Sequence, residues 1–73
     1  MNQNTEVIIT KNDGLETANL FIDGHNPAAI TGERIVIAVS TKTKQVCGIF
    51  AYMGNTIVGQ FHNLDNPNIR DNR

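Results

Sequence analysis

The sequence predicts an all-β fold: a small five-stranded antiparallel sandwich or partly open barrel with one short helical turn. Nine Ile, five Val and seven Thr stand against three Leu, a balance that suits pleated, half-buried strands and not a small helical bundle. Asp13-Gly14 and Gly54-Asn55 carry the residue types that two-residue hairpins need, because those turns require positive φ at central positions. The polar stretch Thr41-Lys42-Thr43-Lys44 separates two apolar runs.

The elements follow in order. Thr5–Thr10 and Glu16–Ile22 flank Asp13-Gly14 and alternate as half-buried strands do. With that turn, Val7, Ile9, Ala18, Leu20 and Ile22 share one side, while Glu6, Ile8, Thr10, Thr17, Asn19 and Phe21 share the other. In the connection Asp23–Gly32, Asn26 suits an N-cap, Pro27 the first helical position and Gly32 the left-handed stop, which predicts the helical turn. Arg34–Ser40, Gln45–Met53 and Thr56–His62 complete the set.

If Gly54-Asn55 is a two-residue loop, Met53 pairs with Thr56, Phe50 with Gly59 and Gly48 with Phe61. A ring lying over a cross-strand glycine, found twice, supports that register. The last three strands are then apolar on both faces. Ile35, Ile37, Phe50, Tyr52 and Phe61 are expected in the core. Val36, Ala38, Ile49, Ala51, Met53 and Val58 form the opposite face, which lacks the charges of a solvated sheet. The first hairpin has apolar surface enough to cover one of these faces, so the other six residues are expected to form a homo-oligomer interface.

Residues 1–62 are expected to form a single β domain and 63–73 a flexible polar tail. The tail holds four Asn, two Asp, two Arg and a Pro, too little apolar surface to fold alone. A chain of 73 residues has an expected folded surface of roughly 4,500 Å². Apolar burial of ~105 kcal/mol then stands against ~110 kcal/mol of ordering entropy. Cys47 is the lone cysteine and excludes an internal disulfide, and two His with one Cys are thin material for zinc. Self-association is the remaining source of stability.

Six cations and seven carboxylates give a net charge of -1, neither a basic footprint nor an acidic surface imitating DNA. The longest apolar run, Ile35–Val39, is far shorter than the ~20 residues that cross a bilayer. Met1-Asn2-Gln3-Asn4 has no signal-peptide character. The expectation is a soluble cytoplasmic protein with a reduced thiol and no membrane partner.

Asp23, Gly24, His25 and Asn26, just before the expected helix start, make a candidate small-ligand loop, since free N–H groups there hold anions such as nucleotides. Arg34, Lys42, Lys44 and Arg70 are candidate contacts to a partner or nucleic acid, although two cations at a hairpin tip are few. Assigning Phe50, Phe61 and Tyr52 to the core leaves no ring for base stacking. Cys47 and His62 oppose each other in the Gly54-Asn55 register and read as a small thiol beside a strand-end histidine in preference to a nucleophile and base. Phosphate loops, dinucleotide fingerprints, C-x-x-C and paired carboxylates are absent. No enzymatic activity, cofactor or metal is expected.

The function expected is non-enzymatic: a self-associating module that binds and modulates another protein, of the accessory or inhibitory kind that phages and mobile elements encode. The alternatives are an oligomer binding a nucleotide or similar anion, and RNA or DNA binding through the Lys42/Lys44 hairpin tip.

Overall fold

The computed structural model describes residues 4–62, 64 and 66–73. Met1, Asn2, Gln3, Asn63 and Asp65 lie outside the described residues, and with them the polar N-terminal start and part of the expected tail. The described residues are all-β, with seven strands and no helix: β1 (Thr5–Asn12), β2 (Leu15–Ile22), β3 (His25–Gly32), β4 (Arg34–Val39), β5 (Val46–Met53), β6 (Thr56–Phe61) and β7 (Asn68–Asp71). They form a four-stranded sheet, β3-β2-β1-β7, and a three-stranded sheet, β4-β5-β6, which do not close into a barrel.

Asp13 and Gly14 take φ of 53° and 77°, the positive pair that an Asp-Gly hairpin needs. Every β1–β2 pair follows from that turn, with Val7 opposite Leu20 and Ile9 opposite Ala18. All four are buried.

The expected helical turn is instead β3. Asp23 and Gly24 repeat the dipeptide of the first turn and its conformation, with φ of 52° and 84°, so the chain folds straight back on β2. Pro27 is tolerated because β3 is an edge strand and a bulge lies between the Leu20–Ala28 and Ile22–His25 pairs. Asn26 serves this bulge and caps no helix. Its Nδ2 donates to the Leu20 carbonyl at 2.7 Å, supplying a donor beside the proline that has none.

The segment read as a flexible tail contributes β7 through Asn68–Asp71, which lies parallel to β1 with Val7 opposite Ile69. Ile69 and Leu64 pack against the core. Its few apolar side chains fall where a preformed sheet can bury them, so the segment orders on β1 although its composition would not support an independent fold.

Two bulges reset the three-stranded sheet. Between the Ala38–Gly48 and Val39–Val46 pairs Cys47 is the extra residue of β5. Between the Ala51–Gly59 and Tyr52–Ile57 pairs Val58 is the extra residue of β6. Each insertion reverses side-chain parity along its ladder. Phe50 therefore faces Gln60 and not Gly59, and Phe61 faces Ile49 and not Gly48. The inward set becomes Ile35, Ile49, Ala51 and Phe61, which meet Val7, Ile9, Ala18 and Leu20 in one core. Ile37 packs at its margin.

Two glycines set how closely the sheets approach. A Cβ on Gly59 would stand 2.9 Å from Ile30 Cγ2, on the opposing sheet. A Cβ on Gly32 would stand 2.7 Å from the Tyr52 carbonyl oxygen. Gly32 lies at the corner where the chain leaves β3 for β4, and Glu33 N–H there donates to Tyr52 O at 2.7 Å.

Candidate functional site

With Ile49 and Ala51 turned inward, alternation turns Phe50 and Tyr52 outward on the central strand of the smaller sheet. Val36 lies opposite Phe50, Arg34 opposite Tyr52, and Gln60 flanks Phe50 from β6. The Arg34 guanidinium carbon sits 4.8 Å from the Tyr52 ring centroid, within cation–π range. His62 meets Phe50 edge-on, with centroids 6.3 Å apart. The rings are half-buried by these neighbours and are not part of the core cluster.

The outer faces of the two sheets differ in their share of polar side chains. On the larger sheet the outward residues are mostly polar, Glu6, Thr10, Thr17, Asn19, Thr31 and Arg70, with Ile8 and Phe21 among them; a Thr17–Thr31 hydroxyl hydrogen bond of 3.0 Å and a Glu6–Arg70 ion pair of 3.5 Å cross this face. Polar side chains thus predominate on the outer face of this mixed sheet. On the smaller sheet the corresponding face carries Val36, Ala38, Phe50, Tyr52 and Ile57. Of the exposed large apolar side chains Leu15, Val39, Met53, Ile57 and Val58, all but Leu15 belong to β4–β6.

Charge is divided the same way. Residues 34–62 hold Arg34, Lys42 and Lys44 and no carboxylate, whereas the remainder holds three cations and all seven carboxylates. The smaller sheet is the positive half of a chain whose net charge conceals the asymmetry.

Lys42 and Lys44 project from the β4–β5 loop, at the opposite end of β4 from Arg34. Ser40 organises this tip. Its Oγ accepts from Lys42 and Thr43 N–H at 3.3 Å each, and its carbonyl accepts from Lys44 N–H at 2.8 Å. Lys44 takes φ of 64°. Among the described residues the other positive-φ positions that are not glycine are Asp13, Asp23 and Asn66, types that tolerate the left-handed region far better than lysine does.

The candidate residues from the sequence are partly gathered and partly scattered. Asp23 and Gly24 form a hairpin tip with His25 exposed at the start of β3. Asp23 Oδ1 accepts the Asn4 N–H at 3.0 Å. With no helix N-terminus there, the reason to expect an anion is gone. Of the six interface candidates, Ile49 and Ala51 are fully buried between the sheets, Val36 and Ala38 lie on the outer face, and Met53 and Val58 are exposed beside it. Arg34 belongs to the outer face, while Arg70 is on the other sheet. Cys47 is exposed, and the β5–β6 ladder stops at Ile49–Phe61 before reaching a Cys47–His62 pair.

Arg73 was not a candidate, yet it joins both sheets. Its guanidinium donates to Asp71 Oδ1 and Oδ2 (3.0 and 2.8 Å), to Glu16 Oε1 (3.1 Å) and to the Ile35 carbonyl (2.7 Å). Ile35 N–H donates to the same Glu16 oxygen at 2.6 Å. The Glu16–Arg73 pair thus occupies backbone groups of β4, an edge strand whose free donors and acceptors otherwise invite another chain. The Ile35 N–H, helped by Arg73, holds the Glu16 carboxyl below its usual value, and Arg73 does the same to Asp71. Asp71 and Glu16 in turn raise the Arg73 guanidinium.

No group of three or more His, Cys, Asp or Glu among the described residues is placed to hold a metal ion. Among them no helix is long and apolar enough to cross a membrane. The chain matches no family model, no curated protein and no solved structure.

Proposed function

We propose that this chain is a non-catalytic binding module whose working surface is the outer face of β4-β5-β6. One observation carries the reading: the face presents Val36, Ala38, Phe50, Tyr52 and Ile57 without a carboxylate, whereas the outer face of the larger sheet sets Ile8 and Phe21 among Glu6, Thr10, Thr17, Asn19, Thr31 and Arg70. Apolar and aromatic side chains gathered on one face, with polar groups at the rim, mark recognition surfaces in soluble domains. A protein partner would bury the same residues.

Self-association is a second reading, favoured by the edges. β3 carries Pro27 and a bulge, β7 is four residues long with Arg70 and Asp71, and β4 is capped by Glu16 and Arg73. β6 has neither proline nor charge and is guarded by the Val58 bulge alone.

The test immobilises wild-type protein and a folded Phe50→Ser/Tyr52→Ser variant and compares what each retains from an extract of the source organism. Material held by the wild type and released by the variant supports the reading. Equal retention overturns it. Light scattering over a concentration series decides self-association separately.

A further inference from the structure

We propose that the outer face of β4-β5-β6 binds single-stranded nucleic acid, with unpaired bases stacking at Tyr52 and Phe50 and the phosphates held by Arg34 at one end and Lys42 and Lys44 at the other. This rests on the reading of that face as the binding surface and names its ligand.

The ring geometry is the first ground. Phe50 and Tyr52 are alternate residues of one strand, so their attachment points lie about 6.7 Å apart. That is about twice the 3.4 Å rise of stacked nucleotides and suits a strand whose bases are splayed onto successive rings. Arg34, already over Tyr52, extends the stack with a planar cation on which a base also packs. Gln60 and His62 flank Phe50 and supply hydrogen-bonding groups for base edges. From Val46 to Tyr52 the platform runs about 20 Å, room for about three extended nucleotides.

Charge is the second ground. The segment from Arg34 to His62 carries three cations and no carboxylate; the carboxylate beside the platform is that of Glu33, which accepts Gly54 N–H at 2.7 Å just past the Tyr52 end of β5, so a polyanion lying along β5 meets like charge at that end and none in the sheet from there to the lysine tip. Lysine held at positive φ keeps one of those cations at a tip stiffened by Ser40. Three cations are few for a duplex, whose affinity comes from neutralising many phosphates, and bases stacked inside a duplex cannot reach the rings. Stacking supplies what charge lacks only when the bases are free.

The chain has one tyrosine and no tryptophan, so intrinsic emission reports Tyr52 alone. Wild-type protein at low salt is titrated with an oligothymidylate of about 12 nucleotides, its oligouridylate counterpart, and the thymidylate annealed to its complement. Saturable quenching by the single strands is expected, with the duplex at least about tenfold weaker. The affinity should fall with salt at a log–log slope near −2, about 0.7 per phosphate contact. With a dye-labelled oligonucleotide, Tyr52→Phe should stay within about threefold of wild type, and Phe50→Ala should lose about 5- to 100-fold. Absence of quenching, or equal affinity for duplex and single strand, overturns the proposal. If Phe50→Ala does not fold, the wild-type quenching and the duplex comparison still decide it. Retention of a protein that depends on Phe50 and Tyr52, with no oligonucleotide response, overturns this proposal and leaves the binding face standing. Loss of both overturns both.

Discussion

Glu16 Oε1 accepts from Arg73 at 3.1 Å and from Ile35 N–H at 2.6 Å, so one carboxylate oxygen ties β2 to the edge of β4 and to the segment after β7. The two sheets are held together by their shared apolar core and, at this rim, by a charged clamp. Arg73→Met removes the donors to Glu16, Asp71 and the Ile35 carbonyl. The expected loss is about 1–2 kcal/mol, read as a thermal midpoint roughly 4–15 °C lower at about 4–8 °C per kcal/mol.

The same clamp makes the fold acid-sensitive. Glu16 and Asp71 have carboxyl pKa values lowered in the folded chain. Their contribution is complete above the ordinary carboxylate range near pH 4 and disappears as pH falls through their lowered folded values. Thermal midpoints measured from pH 7 to pH 2 should decline in that range. The decline should be shallower in Glu16→Gln, whose midpoint at pH 7 is already lower.

Inward and outward faces of the smaller sheet can be separated by truncation. Ile49 is fully buried, and Ile49→Ala is expected to cost about 2–5 kcal/mol. Val36→Ala on the outer face removes two methyl groups that stand clear of the core and should cost under about 1 kcal/mol. Denaturant midpoints of the two variants in the reverse order would refute the register.

Gly32→Ala places a Cβ against the Tyr52 backbone at 2.7 Å, where no flexible side chain can give way. A loss of about 1–3 kcal/mol is expected. Because the displaced group is Tyr52 itself, oligonucleotide affinity should fall with stability in this variant, measured well below its melting temperature.

Lys44→Gly relieves the left-handed conformation of the hairpin tip, worth about 1–2 kcal/mol, against the extra chain entropy of glycine, about 0.5–1 kcal/mol. A midpoint a few degrees higher is expected. The same substitution removes a phosphate contact and should weaken oligonucleotide binding, so stability and affinity move in opposite directions.

The chain's local chemistry determined a good deal by itself. β-branched residues specified strands, Asp13-Gly14 specified the first hairpin with its inward Val7, Ile9, Ala18 and Leu20, and Lys42 and Lys44 were legible as exposed cations. Asp23-Gly24 was equally legible as a turn, but the pattern of Asn26, Pro27 and Gly32 fits both a helix start and a bulged edge strand. The acid-free stretch from Arg34 to His62 was likewise present in the sequence and masked by a near-zero total charge.

Tertiary structure alone decided which rings face water. Side chains alternate with a period of two, so one inserted residue moves a whole apolar set to the other face. Cys47 and Val58 are such insertions, and nothing local distinguishes Ile49, Ala51 inward from Phe50, Tyr52 inward. The choice is made across the core, where Gly59 lies against Ile30 of the opposing sheet too closely for a Cβ to be added and Ile49 and Ala51 join Val7, Ile9, Ala18 and Leu20. β7 was decided the same way, by a parallel partner more than sixty residues earlier whose pairing no neighbour in sequence encodes.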